Sequence, residues 1–542
     1  MQMPSDRDGD PRVQHATMER LLERLSELNA IGASLSSERD IDRLLESILD
    51  AAKKITHADA GTLYLLDDAN KQLTFEILHN DSLGIRMGGS SGEPISFYPV
   101  QLYIDGQPNH AMVVSHAALS GETVNIVDAY TAEGFDFSGT KKFDAKTNYR
   151  SQSFLAVPMR NHDSEVIGVL QLINALDENT GKVTNFSNGD QQLLESLSSQ
   201  AAIAISNRRL IQQLEELFES FISLINTAID DKSPYTGGHC ERVPILTMML
   251  AEAANRTKQG ALSDFNLTDK DRYELKIAGL LHDCGKITTP VHVVDKATKL
   301  QTIFDRIHLV DTRFEVIKRD ARIEMLEGRL TEEQYQGRLR QLDDDRVFLR
   351  VSNVGGEKMK DVDVERVRRI AGYQWQNVNG EQVDFLTAEE AENLSIRSGT
   401  LTAGEREIIN HHIVVTIKML QSLPWPHHLN RVPEYAGGHH ERMDGRGYPN
   451  GLKRDQMSVQ ARLMGIADIF EALTAKDRPY KVGKTLTESL EILGKFKENG
   501  HIDPDLFDVF VREKVYLEYA RRFLAAEQIN EVDETNIPGY TP

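Results

Sequence analysis

The residues best able to do chemistry in this chain are histidines and aspartates gathered in short polar knots. In Leu280-Leu-His-Asp-Cys-Gly-Lys, His282 and Asp283 stand side by side at the end of an apolar helix. They offer one nitrogen and one oxygen ligand to a metal, and Gly285 lets the backbone turn so that Lys286 faces the same cavity. His439 and His440 open a run that continues Glu-Arg-Met-Asp-Gly-Arg-Gly-Tyr-Pro. Consecutive imidazoles could serve two adjacent metals, while the glycine-rich turn offers backbone N–H groups and Tyr448 to a ligand. Asp468 sits within Gly465-Ile-Ala-Asp-Ile-Phe-Glu-Ala-Leu-Thr, an apolar helix where a carboxylate must be paired or metal-bound. Tyr235-Thr-Gly-Gly-His239 opens another helix and supplies a further ligand candidate. A control lies in the chain itself: His427-His428, in a Pro-rich turn, reads as structural or solvated, and Cys284 reads as a small buried thiol.

Mixed imidazole and carboxylate ligands suit divalent Fe, Mn, Zn, Ni or Co without choosing among them. With more than one such ion, a phosphoryl oxygen is polarised and a bridging water is acidified, and a nearby lysine offsets charge on the phosphate. The pattern therefore points to metal-assisted phosphoester hydrolysis. Composition agrees. The 542 residues carry a net charge of −21, which argues against a nucleic acid polymer as partner and requires local positive charge at any anionic substrate site. Two distant cysteines give no disulfide framework, and no apolar run reaches the roughly 18 residues of a membrane span, so a cytoplasmic protein with no membrane contact is expected.

These residues need elements to position them. Residues 1–17 read as a disordered tail. From 18 to 56 the spacing predicts helices, the second beginning at Asp40. Ala60–Leu66 and Leu73–Leu78 then alternate like a hairpin, as do Ser153–Met159 and Val166–Ile173, so residues 18–189 form an α+β domain. Over 190–229, Leu193, Leu197, Gln200, Ala204, Asn207, Ile211, Leu214, Phe218, Phe221 and Ile225 follow a heptad seam, expected as a helical linker that pairs with a second copy or packs on its own domain. Residues 230–515 read as all-α, with a charged, histidine-poor helical arm inserted at about 301–400, and 516–542 as a C-terminal tail.

At these motifs the sequence resembles the HD-GYP family of cyclic di-GMP phosphodiesterases, a branch of the HD metal-dependent phosphohydrolases. His282-Asp283 with Gly285 and Lys286 match the family's HDxGK, Gly447-Tyr448-Pro449 its GYP within HHExxDGxGYP, and Asp468 its ADxFxAL helix. The family's ligand-bearing helix after HDxGK resumes here at Glu405, beyond the insertion, with His412 as the matching histidine. The resemblance implies metal ligands at His239, His282, Asp283, His412, His439, His440 and Asp468, with Asp283 and Lys286 in the catalytic machinery. Members with three metals carry a Glu where this chain has Tyr235, so two divalent metals are expected, Fe or Mn foremost. The implied reaction is hydrolysis of cyclic di-GMP to pGpG or GMP, with Lys286, Arg442, Arg446, Gly447, Tyr448 and Pro449 at the substrate.

The first domain resembles a GAF domain, on Phe143-Asp-Ala-Lys-Thr-Asn-Tyr-Arg leading into the Ser153 strand. It is read as a small-ligand sensor or as a dimerisation module with an empty pocket. The fold class is thus multidomain: an α+β GAF sensor domain, a long helical linker and an all-α HD-GYP domain with an inserted segment. Competing readings are a cyclic-dinucleotide-binding scaffold without turnover and a hydrolase of another dinucleotide such as cyclic GMP-AMP. The insertion is expected to cover or flank the site.

Overall fold

A computed structural model describes residues 26, 28–38, 40–67, 69, 71–232, 238–258, 260–355, 359–476 and 483–541. The expected tail at 1–17, and Tyr235, lie outside these. The chain divides into two compact units, Met1–Leu217 and Phe218–Pro542.

In the first unit, helix α1 covers residues 28–37 and α2 Ile41–Thr56. Asp40 caps α2 by accepting the Arg43 N–H, which satisfies one of the free donors of the first turn. Six strands make the main path of the sheet: β1 (Ala58–Asp67), β2 (Gln72–Asn80), β3 (Ile85–Gly88), β4 (Val124–Ile126), β5 (Phe154–Arg160) and β6 (Val166–Leu176). They lie in the order β3-β2-β1-β6-β5-β4, and two two-residue strands complete the 8-stranded sheet. Both expected hairpins form antiparallel, pairing Leu63 with Ile77 and Leu155 with Leu172. Side chains alternate across β1, so Leu63 and Leu65 enter a core with Ile48 and Leu49 of α2, while Tyr64 enters a second core with Phe154 and Val169 on the other face. Helices α3 (Val113–Ser120) and α4 (Ser138–Thr147) belong to that second face.

Helix α5, Asn188–Lys232, is the predicted linker. Leu194, Leu197, Ala201, Ala202 and Ile205 are buried in the core of the first unit, and Ile222 and Ile229 in that of the second. Phe218 and Ile225 also pack on the second core, so the predicted seam needs adjustment. The apolar stripe left exposed is Leu210, Leu214, Leu217, Phe221 and Leu224, which keeps the 4-3-4-3 spacing in a neighbouring register.

The second unit is built from α6 (His239–Arg256), α7 (Asp269–Leu281), the inserted elements, α12 (Ala403–Gln421), α13 (Val432–Gly437), α14 (Val459–Thr474), α15 (Leu486–Glu498), α16 (Pro504–Arg512) and α17 (Val515–Phe523). The insertion contains α8 (Ile307–Leu326), α9 (Glu332–Asn353), α10 (Asp361–Ala371) and α11 (Ala388–Leu394).

The inserted segment is more than a helical arm: Phe314, Leu349, Val367, Ile370, Phe385 and Leu394 close a core of their own. The second half is helical as expected, with a short hairpin, Gln374–Gln376 paired with Gln382–Asp384, inside the insertion. One expectation is corrected. Residues 516–542 are not a tail: Tyr516, Tyr519 and Ala520 of α17, with Ile537 and Tyr540, are buried in the main helical core. A signal existed: Tyr516, Tyr519, Ala520 and Phe523 stand at three- and four-residue spacing, the pattern of a helix with one apolar face.

Candidate metal centre

Each side chain of the site is delivered by a helix end or a close crossing. His239 is the first residue of α6, preceded by Gly238 at φ +80°, a conformation glycine adopts without strain. Helix α7 opens on a capping box between Thr268 and Asp271 and ends at His282, and a short 3-10 turn, Cys284–Thr288, follows Asp283. Gly285 packs against α12 so tightly that a Cβ there would lie 2.0 Å from the His412 carbonyl oxygen, and its N–H donates to Thr416 Oγ1. The glycine of the HDxGK pattern thus sets the close approach that brings His412 to Asp283. Thr416 stands where the resembled pattern has glycine, and its hydroxyl makes that contact.

The imidazoles share one arrangement. His282, His412 and His439 each turn Nδ1 to a backbone carbonyl three residues earlier, at Gly279, Ile409 and Ala436. A carbonyl only accepts, so the proton sits on Nδ1 and Nε2 carries a lone pair. His239 makes the same commitment to a carboxylate, Glu471 Oε2. The freed Nε2 atoms then converge: His239 and His282 are 3.3 Å apart, as are His412 and His440. Asp283 Oδ2 lies 3.3 Å from Nε2 of both His239 and His282, its Oδ1 lies 3.2 Å from His412 Nε2, and Asp468 Oδ1 lies 3.3 Å from His239 Nε2. His439 Nε2 and Asp283 Oδ1 are buried without a hydrogen-bond partner among the described residues.

Converging imidazole and carboxylate atoms with orphaned buried acceptors are what a cation resolves, so the donor set fits divalent metal. Among the described residues three groups satisfy metal-ligand proximity: His412 with His439 and His440, His239 with His282 and Asp468, and His282 with Asp283 and His439.

The electrostatics agree. Burial, reinforced by His282, lowers the His439 pKa to about 4, and burial with His439 holds His440 well below the usual value; both stay neutral, the form that ligates. At His239 burial is outweighed by Asp283, Asp468 and Glu471, which hold its pKa well above the usual value, so this end of the site demands positive charge. Burial also opposes the Asp283 and Asp468 carboxylates, but Lys286 and His282 at the first, and His239 at the second, hold both well below the ordinary range. Lys286 Nζ lies 2.5 Å from Asp283 Oδ2.

All the sequence-predicted ligands therefore meet in one place. Tyr448 joins them, its ring stacked on His440 at 4.8 Å. Gly447 passes so near the start of the loop that a Cβ would fall 2.4 Å from the Arg442 nitrogen, and Glu441 pins the loop by accepting the N–H groups of Asn450 and Leu452. Pro449 follows in the same loop. Arg442 is engaged by Asp444 at 2.9 Å, whereas Arg446 is 81% exposed with one long contact to Asp444, 3.7 Å. His411, His427 and His428 are exposed, and Cys284 is buried, with burial pushing its thiol up to about 11.

Sequence reasoning missed Glu471 and Arg242. Glu471 is fully buried between His239 and Arg242, whose Nη2 is 2.7 Å from Oε1. A signal existed: Glu471 follows Asp468 by three residues, which puts both on one helical face.

The site combines helix-borne His and Asp ligands with a buried lysine, in an all-helical unit behind an α+β unit. Comparison with known families identifies these parts: the GAF domain family matches residues 40–205, and two HD domain families match 236–349 and 387–506. The chain carries a GAF domain followed by HD domains. The first HD match contains His239, His282 and Asp283, the second His412, His439, His440 and Asp468, and residues 350–386, the middle of the insertion, lie between the two matches.

Among curated proteins, a Vibrio cholerae protein named 3′3′-cGAMP-specific phosphodiesterase 1 is 44% identical over 81 residues, 15% of this chain and 19% of that protein. A cyclic di-GMP phosphodiesterase of Pseudomonas aeruginosa is 45% identical over 116 residues, 21% of this chain and 27% of that one. The 3′3′-cGAMP-specific phosphodiesterase 3 of Vibrio cholerae is 26% identical over 330 residues, 58% of this chain and 46% of that protein. The chain thus spans less than half the length of each of these relatives.

Proposed function

We propose that this chain is an HD-GYP phosphodiesterase that hydrolyses cyclic di-GMP to pGpG or GMP and is regulated by its GAF domain. The observation that carries the reading is the convergence of imidazole Nε2 atoms of His239, His282 and His412 on buried Asp283 beside Lys286. Relatives named for cyclic dinucleotide hydrolysis support the substrate class.

In this reading His239, His282, Asp283, His412, His439, His440 and Asp468 hold two divalent cations, Fe or Mn foremost. When bound, these supply Lewis acidity to the phosphoryl group and acidify a water. Asp283 joins the two halves of the ligand set through its separate oxygens, and Glu471 keeps the His239 ring in register. Lys286 stays protonated: burial opposes its charge, but Asp283 and Asp468 outweigh burial and raise its pKa. Its ammonium therefore stabilises the non-bridging oxygens as a water oxygen bonds to phosphorus, and the ribose 3′ oxygen leaves with a proton. Tyr448 and the Gly447–Pro449 loop flank the substrate, and Arg446 swings from Asp444 to the second phosphate.

The similarity to a protein named for 3′3′-cGAMP, over a stretch 44% identical, favours a second reading in which one base is adenine. Anaerobic incubation of metal-analysed protein with Fe(II) or Mn(II) and each dinucleotide, with products separated by chromatography, distinguishes the two. Product from cyclic di-GMP that Asp283→Ala abolishes is the expected result. Turnover of cyclic GMP-AMP alone would replace the substrate, and absence of bound metal would leave a non-hydrolysing scaffold.

Two further roles belong to the proposal. The exposed stripe from Leu210 to Leu224 pairs with a second copy of α5, tested by sedimentation of Leu214→Glu. The inserted subdomain controls access through α12, because Lys296 at its root is bound by Glu405 of α12 at 2.7 Å and by Asn393 of α11. Hydrogen exchange over residues 301–400 should then slow when substrate is added.

A further inference from the structure

The linker helix α5 ends on Lys232, and the ammonium of that residue is spent on the backbone beside the metal centre. It donates to the carbonyl of Lys286 at 3.3 Å and to the carbonyl of Ile287. Both carbonyls belong to the 3-10 turn Cys284–Thr288, which follows Asp283 and carries Lys286.

A helical turn closes on carbonyls that find no partner inside it, and a basic side chain placed there meets both their lone pairs and the negative end of the dipole. In this turn the Gly285 carbonyl accepts the Thr288 hydroxyl at 2.9 Å, and the Lys286 carbonyl accepts the Thr289 N–H at 3.0 Å. Lys232 gives Lys286 a second donor and gives Ile287 its donor, from 54 and 55 positions earlier in the chain. The linker thus caps the turn that its own neighbours leave half closed.

The stretch of α5 leading to Lys232 is itself anchored. Both Glu219 carboxylate oxygens accept Lys276 Nζ, at 3.0 and 3.1 Å, and Lys276 stands on α7 ahead of His282. Ile222 and Ile229 are buried in the main helical core, and the Phe218 ring is centred 6.1 Å from that of Trp425. From Glu219 to Lys232 the helix runs about 20 Å at its usual rise per residue, so one stiff segment grips α7 at one point and the Lys286 turn at another.

Lys286 has little freedom between these holds. Its N–H donates to the Asp283 carbonyl at 2.9 Å, and its Nζ lies 2.5 Å from Asp283 Oδ2. A shift of the carbonyl end of the turn is therefore a shift of the ammonium.

We infer that Lys232 is a positioning residue for Lys286: by holding the carbonyls of Lys286 and Ile287 it fixes the turn that aims the Lys286 ammonium, so the end of the linker sets the placement of that cation. Its effect on turnover rests on the phosphodiesterase reading above, whereas its hold on the turn does not.

Two variants of the full-length chain test this. Lys232→Met keeps an unbranched apolar stem and removes the donors, while Lys232→Arg keeps a cation. In Lys232→Met the Lys286 and Thr289 amides should exchange with solvent about tenfold faster than in the wild type, with exchange across α14 unchanged. Metal content by elemental analysis should stay the same, because Lys232 donates to backbone carbonyls and not to a ligand side chain. With cyclic di-GMP, kcat should fall about tenfold at unchanged KM, and Lys232→Arg should recover most of both effects. In a Lys286→Ala background, Lys232→Met should cost nothing further, since a residue that acts through the Lys286 ammonium is silent once it is gone.

Unchanged exchange over residues 284–289 would overturn the inference. So would a full tenfold loss in the Lys286→Ala background, which would make Lys232 a general support of the fold. If exchange responds as expected while the wild-type chain turns over no cyclic dinucleotide, the phosphodiesterase reading fails and the hold of Lys232 on the turn stands.

Discussion

The cavity of the first unit and the metal centre of the second are both buried, yet their polar groups are in opposite states. In the cavity beneath the first unit's sheet, lined by Tyr64, Phe75, Phe154 and Gln171, the Tyr64 hydroxyl donates to Gln171 Oε1, the Tyr149 hydroxyl meets Asp59 and His79 Nδ1 meets Asp50, and of its described lining atoms His79 Nε2 alone is buried without a hydrogen-bond partner. In the candidate metal centre, imidazole Nε2 atoms approach one another to 3.3 Å, and His439 Nε2 and Asp283 Oδ1 have no hydrogen-bond partner among the described residues. The first site is nearly complete as folded. The second is complete only with positive charge added. Chemistry is concentrated where the fold leaves polar atoms unfinished, since such atoms are costly to bury for any structural purpose.

The largest effect should come from removing the group that ties the second site together. Asp283 touches His239, His282, His412 and Lys286, so its two oxygens reach both halves of the ligand set. Asp283→Ala is expected to lower turnover by about a thousandfold or more and to reduce bound metal, measured by product chromatography and elemental analysis. Retention of full metal content with unchanged turnover would place the chemistry elsewhere. The next effect sharpens the point about unfinished atoms. Glu471→Gln keeps the shape beside His239 but removes the charge that fixes its tautomer, and metal affinity should fall about 10- to 100-fold. A competition titration with a chelator measures it, and an unchanged affinity would make Glu471 a partner of Arg242 alone.

How much of this was legible in the sequence follows from the same contrast. His282-Asp283, His439-His440 and Asp468 stand out because apolar helices have little other use for them. The hairpins of the GAF sheet were legible because β1 and β6 are short apolar runs bounded by turn residues, buried nearly throughout because both faces of the sheet carry a core. Glu471 was harder, since a glutamate on a helix is ordinary until its neighbour across space is known. His412 was told from His411 through the resembled family's pattern, and the packing of Gly285 against α12 gives the physical reason that this ring turns inward. The inserted core escaped notice because Phe314, Leu349 and Phe385 are scattered through charged sequence and meet only after α8, α9 and the short hairpin are folded. In the linker the periodicity was right and the face was ambiguous, since two apolar stripes run along one helix and the burial of Phe218 and Ile225 chooses between them.

The inserted subdomain offers a third state of buried polarity, in which charge is paired within the protein, and this makes a pH prediction. Glu390 is buried and receives Arg313 Nη1 at 2.6 Å. Burial works against its charge, but Arg313, the Thr387 N–H and Arg306 prevail and hold its pKa below the ordinary value. A depressed carboxyl stabilises the fold at pH above its unfolded value, and that contribution is lost as pH falls through the folded value. Hydrogen-exchange protection over residues 301–400 should therefore decline as pH falls below the ordinary glutamate range, with neutral pH as the plateau. Glu390→Gln should lower protection at neutral pH and flatten that dependence. A wild-type profile with no acid decline would mean that the pair contributes little to the subdomain.

The smallest effect tests whether the loop arginines belong to the finished or the unfinished class. Arg442 is already committed, its guanidinium shared between Asp444 and the Asn499 carbonyl. Arg446 is mostly exposed and holds Asp444 at only 3.7 Å, a contact weak enough for a phosphate to replace. Arg446→Ala should therefore raise KM by about threefold while leaving kcat unchanged, the signature of a solvent-screened contact equally present in ground and transition states. Arg442→Ala should instead loosen the loop that carries Tyr448 and lower kcat, because it frees Asp444 rather than a substrate phosphate. If the two variants exchange these signatures, Arg442 leaves Asp444 for the substrate on binding, and the loop is remodelled rather than preformed.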